Sequence, residues 1–205
     1  MDFLVEGYKK FREGFYKLNK DIYEGLSEGQ HPKALFITCV DSRINPSLIF
    51  NINPGDLLIL RNPGNVVYAY DDEIDYSVAA TVEFAVYKLS VRWIFVCGHS
   101  DCGAMRALFQ EKDFFKNTPK LHEWVESNSK IRNIALDNSI EKSSDFFRKV
   151  EYQNLINSLN NLKEYPFIKE LLKRNEIQIK GLYFDIKSAH VFIFDEEKND
   201  FIIID

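Results

Sequence analysis

Near the amino terminus, apolar residues recur at steps of three and four. Leu4, Tyr8, Phe11, Phe15, Leu18, Ile22 and Leu26 draw one stripe, which predicts an amphipathic helix or helix pair over residues 3–26, ended by Gly25, Gly29 and Pro32. Such a stripe packs on its own domain; its aromatic weight also suits an arm, residues 1–30, laid across a second subunit. The period then changes. Ala34 to Val40 is a short β-branched and aromatic run that reads as a buried strand, and Leu57 to Leu60 is a second, after the Asn53-Pro54-Gly55-Asp56 turn. A helix is predicted from about Asp72 to Leu89, with Val78, Val82, Ala85, Val86 and Leu89 on its inner side. Trp93 to Cys97 reads as a third strand, and a further helix runs from Cys102 to Phe109.

Residues 110–175 read as mostly helical, with loops near 126–129 and 137–145, and Tyr165-Pro166-Phe167 opens the last helix. Ile177 to Phe184 and Val191 to Phe194 are later strands, and Phe201 to Ile204 adds an edge strand. Short apolar strands alternating with helices signal βαβ units and a parallel sheet covered on both faces. The expected fold is α/β, a mostly parallel central sheet flanked by helices, with an amino-terminal helical arm and one domain over residues 1–205.

Composition narrows the function classes. A chain of 205 residues, 45% hydrophobic and 28% charged, is average for a soluble globular protein and unlike a disordered tail or a disulfide miniprotein. Its formal net charge of −5, with basic residues scattered singly, argues against gripping a nucleic acid backbone. The start, Met1-Asp2-Phe3-Leu4-Val5-Glu6, lacks the basic-then-apolar order of a signal peptide, and no stretch approaches the roughly 20 apolar residues of a membrane span. We therefore expect no nucleic acid partner, no membrane association and a cytoplasmic location. The three cysteines, Cys39, Cys97 and Cys102, are too few and odd in number for a disulfide framework, and suit metal binding or reactivity.

Two segments place metal-ligating side chains directly after a buried strand: Thr38-Cys39-Val40-Asp41-Ser42-Arg43 and Cys97-Gly98-His99-Ser100-Asp101-Cys102-Gly103. In open parallel sheets, ligands bind beyond the carboxyl ends of the strands. Cys39, His99 and Cys102 supply two thiolates and an imidazole, a set that zinc favours; three protein ligands with one open position is the catalytic pattern. Cys102 is expected in the first turn of a helix capped by Ser100 or Asp101, where the helix dipole favours thiolate. Gly98 and Gly103 permit the sharp strand-to-helix passage and close backbone approach. Cys97 reads as a small buried hydrophobe. Asp41 and Arg43, two residues apart in a loop, can pair through the planar guanidinium fork. Asp41 then either swings onto the metal as a fourth donor or, paired with Arg43, leaves that position to water.

These residues resemble the β-class carbonic anhydrases over nearly the whole chain. Cys39-x-Asp41-Ser42-Arg43 and His99-x-x-Cys102-Gly103 match the two signature motifs of that family. Asn53-Pro54-Gly55-Asp56, Arg61-Asn62-x-x-Asn65, Tyr165-Pro166-Phe167 and Gly181-Leu182-Tyr183-Phe184-Asp185 match its connecting and carboxyl-terminal segments. The resemblance implies a lyase that hydrates carbon dioxide reversibly to bicarbonate and a proton through zinc-bound hydroxide. It implies one Zn²⁺ per chain on Cys39, His99 and Cys102, catalytic gating and orienting roles for Asp41 and Arg43, with Asp41 a ligand only in a closed state, and substrate contact at Gly103. It also implies a homodimer or a multiple of dimers, with the amino-terminal helices reaching over a neighbour. Some members carry an inhibitory bicarbonate pocket of Trp, Arg and Tyr; the matching positions here are Phe36, Arg61 and Phe184, so that regulation is not expected.

Water on zinc falls from a pKa of about 15.7 to about 7 in a three-histidine site. Two thiolates leave a weaker Lewis acid, so activity should rise with pH above about 7. His31, His122 and His190 have no spacing that ties them to the metal, and none is assigned as a proton shuttle. The alternative readings are a carbon disulfide or carbonyl sulfide hydrolase on the same zinc core, and a non-catalytic zinc-holding or redox-sensing module. A doubly wound nucleotide-binding protein is excluded, because no glycine follows the first strand in Asp41-Ser42-Arg43-Ile44-Asn45-Pro46.

Overall fold

The computed structural model describes residues 1–72, 75–137 and 145–204. The amino-terminal stripe forms a helix pair: α1, Asp2–Phe11, continues into a π-turn at Arg12–Tyr16, and α2, Lys20–Ser27, follows a break at Asn19. Gly25 lies inside α2 and does not end it. Next come β1 (Ala34–Cys39), α3 (Pro46–Ile49), β2 (Leu57–Asn62), α4 (Tyr76–Glu83, extended by a π-turn at Phe84–Lys88), β3 (Trp93–His99) and α5 (Gly103–Ala107). The helical middle divides into α6 (Pro119–Ser127), α7 (Ser129–Asp137), α8 (Phe146–Lys163) and α9 (Pro166–Lys173). The chain then forms β4 (Gln178–Phe184), β5 (Val191–Asp195) and β6 (Asp200–Ile203).

Boundaries moved where polar residues carry an element. The helix expected from Asp72 begins at Tyr76, because Asp75 caps it by accepting from the Ser77 amide at 2.8 Å; Glu73 and Ile74 lie outside the described residues. The loop expected near 126–129 shrinks to a break at Asn128, whose side chain donates to the Tyr68 hydroxyl at 3.0 Å. The loop expected over 137–145 falls on residues 138–144, outside those described. β2 and β3 both run two residues past their apolar cores, to Asn62 and His99, because neighbouring strands keep pairing them.

The sheet has the order β2-β1-β3-β4-β5-β6, with the first four strands parallel and the last two antiparallel. From β1 the chain moves to β2 on one side, then crosses to β3 on the other. The carboxyl ends of β1 and β3 therefore lie side by side where the strand order reverses, the place at which open α/β sheets bind ligands. All six residues of β1 are buried, as a strand paired on both edges requires.

One face of the sheet presents Leu35, Ile37, Ile94, Val96 and Ile179 to α4, α8 and α9, through Val78, Val82, Leu155, Leu159 and Ile168. Each fully buried aliphatic side chain contributes about 1.5–3 kcal/mol relative to exposure, so this layer dominates the stability of the sheet. The opposite face carries Phe36, Cys97, Leu182 and Phe184 under Ile44, Ile49 and Phe50 around the short α3. A third cluster joins Cys39 and Cys102 to Met105, Leu108, Phe115, Val125, Ile131 and Val150. The arm behaves differently. No residue of α1 or α2 is buried, and Leu4, Tyr8 and Leu18 are 63%, 60% and 85% exposed; the end of the stripe, at Leu26, lies against the turn at Gly55.

Candidate metal centre

Cys39 ends β1 and His99 ends β3, so the parallel register of the two strands delivers a thiol and an imidazole to one edge of the sheet. The turn Ser100-Asp101 brings back Cys102, helped by a left-handed φ of 59° at Asp101. The ligand atoms of Cys39, His99 and Cys102 lie within 4.8 Å of one another, and all three residues are buried. The two sulfurs are 3.9 Å apart.

Cys102 is placed differently from expectation. It is the N-cap of α5 and not part of its first turn, and neither Ser100 nor Asp101 caps the helix. The Ser100 hydroxyl instead accepts from the Ile186 amide at 2.9 Å. The Cys102 amide donates to the Glu151 carboxylate at 2.9 Å. Gly64, at φ 71°, turns its own amide onto Cys39 Sγ at 3.3 Å.

The donor chemistry fits a metal. His99 Nδ1 sits 2.9 Å from the Ser100 carbonyl, which fixes the proton on Nδ1 and leaves Nε2 as the lone-pair nitrogen. That Nε2 is buried and has no hydrogen-bond partner, the condition that a coordinated ion would relieve. Sharing a hydrogen bond with Cys102 pulls the Cys39 thiol down to about 4, against its burial, while the same contact and burial push Cys102 up. Burial pulls the His99 imidazole down, but the contacts with Cys39 and the Ser100 carbonyl outweigh it and the net direction is upward. Cys97 is no part of this set: burial pushes its thiol up to about 12, as its reading as a small hydrophobe requires.

Asp41 and Arg43 stand beside the donors as an ion pair. Arg43 donates from Nε to Asp41 Oδ1 at 2.9 Å and from Nη2 to Oδ2 at 2.8 Å. This fork holds the Asp41 carboxyl down at about 2. Asp41 Oδ2 is 4.0 Å from His99 Nε2, so the carboxylate adjoins the donor set while engaged by the guanidinium. Asp101, read as a possible cap, instead holds Arg43: its Oδ2 accepts from Nη1 at 3.0 Å and its carbonyl from Nη2 at 2.9 Å, while Oδ1 accepts from Arg106 at 2.7 Å. Gly103 opens α5 at an exposed position with nothing within 4 Å of where a Cβ would stand.

Arg61 braces the same loop. It donates to the carbonyls of Cys39 at 2.9 Å, Asp41 at 2.6 Å and Ile44 at 2.8 Å. Phe36 and Phe184 share an apolar cluster. Glu151 and Tyr183 were missed by sequence reasoning. The Tyr183 hydroxyl donates to Glu151 Oε2 at 2.6 Å, and burial pushes the Glu151 carboxyl up. His31, His122 and His190 lie apart from the donor set.

Comparison with known proteins agrees with this geometry. Residues 34–191 match a family model described as carbonic anhydrase. A carbonic anhydrase of Synechocystis is 36% identical over 203 residues, covering 98% of this chain and 74% of the relative. A carbonic anhydrase of Helicobacter pylori is 34% identical, covering 95% of this chain and 90% of the relative. The solved β-carbonic anhydrase CcaA superposes with a TM-score of 0.94 at 35% identity, covering all of this chain and 92% of that one. A tetrameric β-carbonic anhydrase of Sordaria macrospora shares the fold at a TM-score of 0.82 and 24% identity, over 94% of this chain and 95% of that one. The sheet order, the Cys-His-Cys cluster and these relatives agree: the chain belongs to the β-carbonic anhydrases, a family of lyases.

Proposed function

We propose that this chain hydrates carbon dioxide reversibly to bicarbonate and a proton at one zinc ion held by Cys39, His99 and Cys102. The observation that carries the reading is the buried, unpartnered Nε2 of His99 facing two thiols, with the neighbouring Asp41 occupied by Arg43. Three protein donors leave a tetrahedral ion one position short, which is the pattern of catalytic sites. Zinc bound there supplies Lewis acidity that lets water act as a nucleophile near neutral pH.

The protein groups do the rest. Asp41 is held ionised, so it can only accept a hydrogen bond, and its place 4.0 Å from His99 Nε2 suits it to orient the attacking oxygen. Arg43 engages both oxygens of Asp41 beside the donors, and Asp101 keeps Arg43 in place. Gly103 leaves open space at the start of α5 for close approach of a small, uncharged substrate. The exposed stripe of α1 and α2 supports a homodimer, or a multiple of dimers, in which the arm covers a partner subunit. Three unpaired cysteines support a cytoplasmic location.

Stopped-flow carbon dioxide hydration, with metal content measured on the same sample, tests the reading. The expected result is hydration that tracks zinc occupancy and disappears on chelation. Zinc-loaded protein that leaves carbon dioxide untouched but hydrolyses carbon disulfide or carbonyl sulfide would overturn it in favour of a different substrate.

A further inference from the structure

Helix α8 carries a buried polar seam that the reaction scheme above does not use. Glu151, Asn154 and Ser158 are 3%, 1% and 0% exposed and follow one another at steps of three and four, hence on one face of the helix. Each holds backbone of a loop at the metal centre. Glu151 Oε1 accepts from the Cys102 amide at 2.9 Å, and Asn154 Nδ2 donates to the Gly64 carbonyl at 2.6 Å. Ser158 Oγ accepts from the Val67 amide at 3.1 Å and donates to the Asn65 carbonyl at 3.2 Å. The Gly64 so held is the residue whose amide points at Cys39 Sγ. One rigid helix thus reaches the backbone behind both thiols.

Burying polar side chains on a core-facing helix costs free energy, the more so as Asn154 Oδ1 has no hydrogen-bond partner among the described residues, and leucines at these positions would pack without that cost. The Cys102 amide needs an acceptor, since Cys102 precedes α5 with an extended backbone and the amide is buried. Its acceptor among the described residues is the Glu151 carboxylate, which is itself fixed from the other side by the Tyr183 hydroxyl at 2.6 Å. We propose that Glu151, locked by Tyr183, is a positioning residue that aims the Cys102 thiolate, and that Asn154 does the same for Cys39 through Gly64. The inference rests on the zinc reading above.

The test compares Glu151→Leu, Glu151→Gln, Tyr183→Phe and a control, Leu155→Ala, which removes core packing on the same helix without removing a hydrogen bond to either loop. Zinc release to a chelator and the thiolate-to-cobalt absorption of the cobalt-substituted protein are read beside unfolding midpoints. Groups that orient metal ligands typically carry about 10–100-fold in metal affinity. Glu151→Leu should release zinc faster by that order and shift the cobalt band, while Glu151→Gln, which keeps an acceptor for the Cys102 amide, stays near wild type. Should Glu151→Leu not fold, Tyr183→Phe carries the test, with faster release and an altered band in a folded protein. Release and spectra unchanged in Tyr183→Phe and Glu151→Leu, or changed equally in Leu155→Ala at matched stability, would overturn the inference alone. A wild-type chain that binds neither zinc nor cobalt would overturn it together with the functional reading.

Discussion

Arg43 grips both carboxylate oxygens of Asp41, at 2.9 and 2.8 Å, while Nη1 and Nη2 also donate to the side chain and carbonyl of Asp101. The two partners come from opposite sides of the crevice, Asp41 from the loop after β1 and Asp101 from the turn after β3. The guanidinium is therefore a clasp across the crevice as well as a counter-ion. A carboxylate two residues from a donor cysteine is close enough to become a ligand itself, and the fork is what keeps it engaged elsewhere.

Replacing Arg43 by Ala should release Asp41 toward the donor set. The expected outcome is unchanged zinc content with hydration reduced by roughly 10–100-fold, the range seen when groups that orient a metal site are removed. Metal analysis beside stopped-flow rates checks it; full activity in Arg43→Ala would remove the clasp from the account.

The pH dependence separates Asp41 from the reacting solvent. Arg43 lowers the Asp41 carboxyl from its ordinary 3.8 to about 2. A depressed carboxylate stabilises the fold wherever pH exceeds its unfolded value, and that contribution is lost as pH falls through the folded one. In metal-free protein, the stability difference between wild type and Asp41→Asn should be flat above pH about 4 and close toward pH about 2. Denaturant titrations across that window measure it. Because Asp41 does not titrate near neutrality, the rise of activity expected above about pH 7 belongs to solvent at the metal. A rate that is flat from about pH 6 to 9, with proton transfer not limiting, would contradict the thiolate-rich site.

Thiol reactivity offers a check without turnover. With metal bound, all three cysteines should resist alkylation. After chelation Cys39 should react first, since its thiol is held down at about 4. Cys97, pushed up to about 12 by full burial, should react last. Peptide mapping after limited iodoacetamide treatment reads the order, and early modification of Cys97 would contradict it.

The donor set was legible in the sequence because Cys39 and His99 end strands, where the chain changes from apolar to polar, and Cys102 follows His99 by only three residues. Asp41 and Arg43 were legible for the same reason, being two residues apart. Glu151 was not: it contacts Cys102 across 49 residues of chain and Tyr183 across 32. A glutamate in a long helix ordinarily reads as part of a solvated face, and only the fold turns this one inward. The positions of Arg61 and Asn62 inside β2 were hidden likewise, because polar residues end a strand in sequence while parallel pairing to Thr38 and Cys39 continues it in space. Cys102 precedes the helix because its backbone is extended, at φ −70° and ψ 116°, so α5 starts one residue later.

The layer that supports the centre is tested by Gly181. A Cβ there would meet Leu159 Cδ1 at 2.6 Å and Phe194 Cβ at 3.2 Å. Gly181→Ala should therefore cost about 1–3 kcal/mol through overpacking between β4 and α8. Equilibrium unfolding measures the loss, and an unchanged midpoint would show that α8 is free to shift.

X-ray absorption at the zinc edge of the purified protein tests the central claim most directly. The account predicts one zinc per chain with two sulfurs at about 2.3 Å, one nitrogen at about 2.0–2.1 Å and a single further light-atom ligand. Protein without stoichiometric zinc, or a zinc shell that lacks two sulfur neighbours, would contradict it.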